Sequence, residues 1–229
     1  MTGAAGPRWT RRRLLDALAA CYGAGDYQGI DLDAVAAGFG VTRRTVTRWI
    51  AGSSGRTKAR MPAKRIAELM LPPQSVIRDE QIDVANAREV IASLNPANPA
   101  ALGRRPTSIA KEWQRRGWLD PHLVGILELP RQGRLQLRQI VSTWGTYTQG
   151  PPRTTREWRR RGHIVDLVTV PTRFHAMVLV AEVLDRVGPW RLYPSEAVVP
   201  KTRTQVWAAD APAVNLAALA QETGLALRP

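Results

Sequence analysis

The sequence predicts a mainly α-helical protein with an N-terminal helix-turn-helix domain, a connecting helix, and a mostly helical C-terminal domain with possible minor β-structure. Two observations predict this class. Residues 32–50 have the spacing of a helix-turn-helix, and apolar residues recur at helical intervals through most of the remaining chain. Turn-rich stretches divide the 229 residues into a first domain of residues 1–72, a connecting helix within 73–96, and a basic second domain of residues 97–229.

The first domain is predicted to contain a supporting helix before the helix-turn-helix and a short helix after it. In residues 10–22 the apolar side chains share one face, and Thr10 is placed to cap the helix. Pro62 suits the first turn of a helix that runs to Met70. Two consecutive prolines then end this helix and the domain.

The helix-turn-helix itself depends on the residues around one glycine. Ala36 is small enough for a second helix to cross closely, and Gly40 can take the positive φ of a sharp turn. Val41 fills the corner, and Thr42 is placed to cap the second helix. Residues 42–51 are therefore predicted to form a recognition helix.

This recognition helix has one apolar and one basic face. Val46, Trp49 and Ile50 fall at i, i+3 and i+4 and are expected to face inward. The outward side chains suit the major groove of DNA, where arginine reads guanine and hydroxyl groups contact bases or phosphates. The candidate contact residues are Thr42, Arg43, Arg44, Thr45, Thr47 and Arg48.

A basic loop follows the recognition helix. It is either a plain linker or an arm that enters the minor groove, and its candidate contact residues are Arg56, Lys58 and Arg60. Residues 77–94 then form the connecting helix, whose acidic side chains are expected to avoid DNA.

Two similar segments occur in the second domain: residues 111–120 read KEWQRRGWLD and residues 156–166 read REWRRRGHIVD. One interpretation is a pair of degenerate copies of a DNA-reading helix, each with an inward tryptophan and an outward basic face. The other is chance recurrence in an arginine-rich chain.

The later segment is the better candidate for DNA contact, because it opposes many basic residues with one acidic residue. Pro152 suits the first turn of its helix, residues 148–152 form the preceding turn, and residues 135–147 have the periodicity of a supporting helix. Its candidate contact residues are Arg153, Thr154, Thr155, Arg156, Arg159 and Arg160, and Arg104 and Arg105 flank the earlier segment.

The rest of the second domain is predicted to combine helices with short strands. Residues 163–171 are rich in β-branched side chains and suit a short strand, and strand-like pieces surround Leu192 and Val206. Residues 174–187 form an apolar core helix, and residues 215–223 form a small helix.

The charge balance indicates a polyanionic partner. The chain has 33 basic and 19 acidic residues, which give a net charge of +14. Cys21 is the only cysteine, and this excludes an internal disulfide and a cysteine-ligated zinc site. No stretch approaches the roughly 18 apolar residues of a membrane span, so a cytoplasmic protein is expected.

Signals for catalysis are weak. The acidic residues of the second half do not form a recognisable metal-binding run, and His122, His163 and His175 are isolated along the sequence. Neither a Walker A loop nor a GxGxxG motif occurs. We therefore expect no enzymatic activity, no metal and no cofactor.

The RRRLLDALAACY helix, the GVTRRTVTRWI recognition helix and the basic second domain resemble the immunity repressors of temperate mycobacteriophages that bind scattered stoperator sites. The resemblance implies a sequence-specific repressor that binds double-stranded DNA, keeps a prophage dormant and blocks superinfection. It also implies asymmetric sites contacted by both domains of a monomer, with a dimer as the alternative.

Two other functions fit the same residues. The helix-turn-helix can serve as the DNA-targeting part of a recombination or transposition system. Alternatively, the C-terminal half of a repressor can bind a protein partner in place of DNA.

Overall fold

A computed structural model of the chain describes residues 6–51, 61–94, 107–143 and 150–225. Within these ranges the chain forms nine α-helices and five β-strands. The helices are α1 (Arg11–Tyr22), α2 (Leu32–Phe39), α3 (Arg43–Ile50), α4 (Ala63–Glu68), α5 (Gln74–Leu94), α6 (Thr107–Arg115), α7 (Gly150–Arg161), α8 (Arg173–Arg186) and α9 (Leu216–Glu222). The strands are β1 (His122–Glu128), β2 (Leu137–Ser142), β3 (His163–Val170), β4 (Arg191–Leu192) and β5 (Val206–Ala208).

The predicted fold class is wrong, because the chain is mixed α/β and its strands are not a minor component. The five strands form one antiparallel sheet in the order β3-β1-β2-β5-β4. Strand β1, for which the sequence predicts no element, is the run HLVGILE with six of its residues buried. A short apolar run without alternation fits a buried strand or a buried helix equally well, and only the pairing partners decide between them.

The supporting helix predicted at residues 135–147 is also wrong. Its middle part forms β2, in which Leu137 pairs with Ala208 and Gln139 pairs with Val206 of β5. The apolar spacing of LQLRQIV fits a helix or a strand, and a partner about seventy residues downstream selects the strand. Residues 144–147 lie outside the described ranges.

The other predicted elements are confirmed, within a few residues at their ends. Helices α1 to α5 and the core helix α8 occupy the expected segments. The β-branched segment after Gly162 forms β3, and the pieces around Leu192 and Val206 form β4 and β5. The last helix, α9, is capped by Asn215, whose Oδ1 accepts a hydrogen bond from the N–H of Ala218 at 2.8 Å.

The chain divides into two compact units. The first unit comprises residues 1–72, 129–139 and 187–211, and the second comprises residues 73–128, 140–186 and 212–229. Each unit therefore combines segments that are far apart in the sequence. The boundary between residues 72 and 73 coincides with the predicted end of the helix-turn-helix domain. That both domains bind DNA stays a prediction.

In the first unit, downstream segments complete the core around α1. Leu14 and Leu18 are fully buried on this helix. The N–H of Ser195 donates to the carbonyl of Cys21 at 2.8 Å, and the N–H of Tyr193 donates to the carbonyl of Met70 at 2.6 Å. The first 72 residues therefore share their core with segments that follow much later.

In the second unit, α8 packs against α5 and against the strand pair of β1 and β3. Phe174, Leu179 and Val183 of α8 are buried. The antiparallel register of β1 and β3 shifts between Ile126 and Leu127, which marks a β-bulge. This core supports both helices that carry the tryptophan-containing basic segments.

Candidate nucleic-acid interface

The turn between α2 and α3 has the tight geometry of a helix-turn-helix. Gly40 ends α2 in the left-handed region, at φ 63° and ψ 33°, and its N–H donates to the carbonyl of Ala36. The N–H of Val41 donates to the same carbonyl at 3.0 Å. Glycine takes this conformation without the steric cost that a Cβ imposes, so the chain reverses at once into α3.

Side chains cap the N-termini of both helices. Asp31 Oδ1 accepts hydrogen bonds from the N–H groups of Asp33 and Ala34, each at 3.0 Å. Thr42 Oγ1 accepts from the N–H of Thr45 at 3.2 Å, which confirms its predicted capping role. The other N–H groups of the first turn of α3 have no partner inside the helix and can face an anion.

The predicted inward face of α3 is confirmed. Val46 and Ile50 are each 1% exposed. Trp49 is half-buried, with its ring centroid 6.2 Å from that of Phe39 on α2. Arg11 of α1 donates to the carbonyl of Trp49 at 2.5 Å, so α1 also holds the last turn of α3.

The hydroxyl groups of the threonines on the outer side of α3 already form hydrogen bonds within the helix and its cap. Thr45 and Thr47 are half-buried. The hydroxyl of Thr45 lies 2.9 Å from that of Thr42, and the hydroxyl of Thr47 donates to the carbonyl of Arg43 at 2.9 Å. Any contact that these two side chains make with DNA therefore uses their methyl groups or a remaining lone pair.

The three outer arginines of α3 are exposed but differ in their partners. Arg43 forms a 2.8 Å ion pair with Asp33, and both side chains are open to solvent. Arg44 and Arg48 form no ion pair within the part of the chain that the structure describes. These two guanidinium groups are therefore the ones fully available to a ligand.

A second basic helix, α7, belongs to the second unit. Trp158 is 5% exposed and lies against Gly125 of β1, where an added Cβ would come within 2.9 Å of the indole ring. Thr155 is also buried, so its side chain faces the protein and its predicted contact with DNA is wrong. The predicted residues that face outward are Arg153, Arg156, Arg159 and Arg160, with Thr154 half-buried beside them.

Each of the two similar segments contains the end of a helix that is followed by a strand, and the two strands, β1 and β3, pair with each other. The two segments differ in how their arginines are paired. Glu112 of α6 accepts hydrogen bonds from Arg115, the last residue of α6, and from Arg116 just after it, and these bonds lower the pKa of the Glu112 carboxyl to about 2. Both arginines are thus occupied by an acidic residue of their own segment. The origin of the segments as copies stays a prediction.

Several predicted positions cannot be placed. Arg56, Lys58, Arg60, Arg104 and Arg105 lie outside the described residues. The turn predicted at residues 148–152 is wrong for its last three residues, which form the start of α7. Prolines at 151 and 152 are compatible with this placement, because the first turn of a helix needs no intrahelical N–H donor.

One basic feature was not predicted from the sequence, namely the turn formed by residues 130–134 between β1 and β2. It reads PRQGR and carries two exposed arginines, Arg131 and Arg134. Its signal is a proline and a glycine between two apolar runs, which would have indicated a hairpin if those runs had been recognised as strands.

In the described ranges, no group of three or more His, Cys, Asp or Glu residues is close enough to hold a metal ion. Among the helices in those ranges, none combines the length and the apolar character needed to cross a membrane. No protein-family model, curated protein or solved structure matches this chain.

Proposed function

We propose that this protein is a sequence-specific transcriptional repressor that binds double-stranded DNA through α2 and α3. The observation that carries the proposal is the outer face of α3, where Arg44, Thr47 and Arg48 follow each other at i, i+3 and i+4. Side chains at this spacing share one helix face and can reach base edges in a major groove. The net charge of +14 favours the approach of a polyanion.

The arginines of α3 have different roles in this contact. Arg44 and Arg48 form no ion pair with any described residue, and their guanidinium groups match O6 and N7 of guanine in a bidentate manner. Arg43 stands at the N-terminus of α3 beside open N–H groups and is suited to a phosphate. Its exposed ion pair with Asp33 contributes only about 0–1 kcal/mol, so a phosphate can replace the carboxylate.

A second contact is made by α7. Its buried tryptophan fixes the helix on β1, and the exposed arginines opposite form a surface for backbone phosphates. Phosphate contacts of this kind add affinity for all sequences and make binding depend steeply on salt. The outer arginines of α7 therefore add a sequence-independent component to the recognition by α3.

The biological role in this proposal is that of the mycobacteriophage immunity repressors that the sequence resembles. The protein then acts in the cytoplasm of the bacterial host, as a monomer on asymmetric operator and stoperator sites. It occludes RNA polymerase, keeps the prophage dormant and prevents superinfection.

Single substitutions in α3 test the proposed function. Arg44→Ala and Arg48→Ala should each reduce the affinity for a selected duplex by roughly 5- to 150-fold, which corresponds to the 1–3 kcal/mol of a bidentate arginine–guanine contact. Affinity for a random duplex should fall much less. Electrophoretic mobility shifts or fluorescence anisotropy with the full-length protein measure both.

Arg186→Ala is the matched control, since it removes an exposed arginine of α8 that pairs with Glu222. It should change neither affinity by more than about twofold, as expected for an exposed charge outside α3 and α7. Equal losses for the selected and the random duplex in the α3 variants would exclude base reading by α3.

A further inference from the structure

The turn between β1 and β2 lies at the surface of the first unit. Five consecutive residues, Pro130 to Arg134, are exposed, and Gly133 takes φ 81°. Next to them the N–H of Leu129 donates to the carbonyl of Leu137 at 3.0 Å, so the hairpin holds both ends of the turn together. We refer to residues 130–134 as the basic turn.

The basic turn carries positive charge without acidic compensation nearby in sequence. Arg131 and Arg134 are both exposed, and neither forms an ion pair within the described ranges. No aspartate or glutamate occurs between Glu128 and Glu157. Two exposed arginines in such surroundings are suited to an anion from outside the chain.

The basic turn also lies at the same end of α1 as the turn of the helix-turn-helix. A Cβ on Gly133 would come within 3.3 Å of Cβ of Ala19 on α1. One helical turn further along α1, the ring of Tyr22 packs edge-on against Phe39, with centroids 5.4 Å apart. Phe39 is the last residue of α2 and directly precedes Gly40. The contacts of α1 thus connect both turns within one unit.

We infer that the basic turn is a further DNA contact, which binds backbone phosphates beside the segment of the duplex that α3 reads. This inference rests on the proposed function of the helix-turn-helix. Arginine forms paired, charge-assisted hydrogen bonds with phosphate oxygens.

The double variant Arg131→Ala/Arg134→Ala in the full-length protein tests the inference. Loss of two phosphate contacts should lower the slope of log affinity against log salt by about 1.8. Affinities for the selected duplex and a random duplex should fall by the same factor. The hydroxyl-radical footprint on the selected duplex should shorten on one side. The melting temperature should not change, because both side chains are exposed.

Two further variants show whether the effect comes from the positive charge of the basic turn or from the loss of any two arginines. Arg131→Lys/Arg134→Lys retains the charge and should keep most of the salt slope. Arg88→Ala/Arg186→Ala removes two exposed arginines from the second unit, where they pair with Glu182 and Glu222, and should leave slope and footprint unchanged.

The outcomes distinguish the inference from the proposed function. If the wild type binds its selected duplex and the Arg131→Ala/Arg134→Ala variant has the same slope and footprint, the inference is overturned and the role of α3 stands. If the double variant loses affinity only for particular bases beside the site, the assignment to phosphates is overturned. If the wild type prefers no duplex sequence, the proposed function and the inference both fail.

Discussion

At the residue scale, single side chains determine whether the helix-turn-helix can form. Gly40 is held at φ 63°, and a Cβ built there meets no atom within 4 Å. A substitution at this position therefore changes the backbone energy without creating a clash. The sequence predicted this role for Gly40, because a helix followed by glycine and a threonine cap is a local pattern.

Gly40→Ala should lower the free energy of unfolding by about 1–2 kcal/mol, the cost of the left-handed conformation for a residue with a Cβ. Gly188→Ala is the matched control, since its Cβ would also meet nothing within 4 Å and its φ is not positive. That control should be neutral or stabilising by up to about 1 kcal/mol. Urea denaturation measures both, and equal losses in the two variants would contradict the role of Gly40.

His122 should make the stability depend on pH. The side chain is fully buried, with Nδ1 2.8 Å from the carbonyl oxygen of Asp120. Burial lowers the pKa of His122, and the charge of Arg173 lowers it further, against the opposing effect of the hydrogen bond to Asp120. Below about pH 6.5 His122 becomes protonated in the unfolded chain but stays neutral in the folded chain. Protonation therefore favours the unfolded chain, and the free energy of unfolding should fall from pH 7 to pH 5.

His122→Gln removes this titrating group and should make the fall in stability between pH 7 and pH 5 smaller, while His175, whose pKa burial also lowers, keeps part of the fall. Denaturation at several pH values gives the profiles. A variant at position 122 with the wild-type pH dependence would show that this histidine does not titrate differently on folding.

At the element scale, most helices and the strands β3, β4 and β5 were predicted from the sequence, whereas β1 and β2 were not. The caps at Thr42 and Asn215 and the apolar face of α3 depend on residues within one or two helical turns, which the sequence shows directly. Strands β1 and β2 depend on partners elsewhere in the chain. The pairing of Leu137 with Ala208 cannot be recognised from either segment alone.

In the candidate site, too, the features that depend on local sequence were predicted and those that depend on distant segments were not. The basic face of α3 was predicted residue by residue, because a helix repeats every 3.6 residues and Val46 and Ile50 reveal its buried side. The buried position of Thr155 and the arginines of the basic turn were missed. Both depend on strand β1, against which Trp158 packs and which leads into the turn.

Helix α7 should act through charge and not through base recognition. The triple variant Arg156→Ala/Arg159→Ala/Arg160→Ala should lower the slope of log affinity against log salt by about 2.7 if each arginine neutralises one phosphate. The affinity ratio between the selected and a random duplex should stay the same. The Arg88→Ala/Arg186→Ala variant serves as the charge control, and a changed affinity ratio in the triple variant would indicate that α7 reads bases instead.

At the scale of the whole molecule, the helix-turn-helix is part of a unit assembled from three chain segments. The hydrogen bond from Ser195 to Cys21 and the bidentate ion pair between Arg13 and Asp210 join the first segment to the last. A continuous N-terminal domain was the simplest prediction, since sequence analysis divides a chain at turns and cannot show which distant segments return.

A fragment of residues 1–72 should therefore fail to fold cooperatively. It retains α1 to α4 but lacks residues 129–139 and 187–211, which complete the first unit. Thermal denaturation followed by circular dichroism should give a broad, weak transition for the fragment and a sharp one for the full-length protein. A sharp transition in the fragment, with native-like protection of the amides around Leu18, would contradict the shared core.

The central claim is that α3 reads a DNA sequence, and selection from a library of random duplexes tests it most directly. The full-length wild type should enrich one asymmetric, guanine-containing motif. The Arg186→Ala control should enrich the same motif, and Arg44→Ala/Arg48→Ala should lose preference for the guanines. Failure of the wild type to enrich any motif would contradict the claim, as would enrichment of the unchanged motif by the α3 double variant.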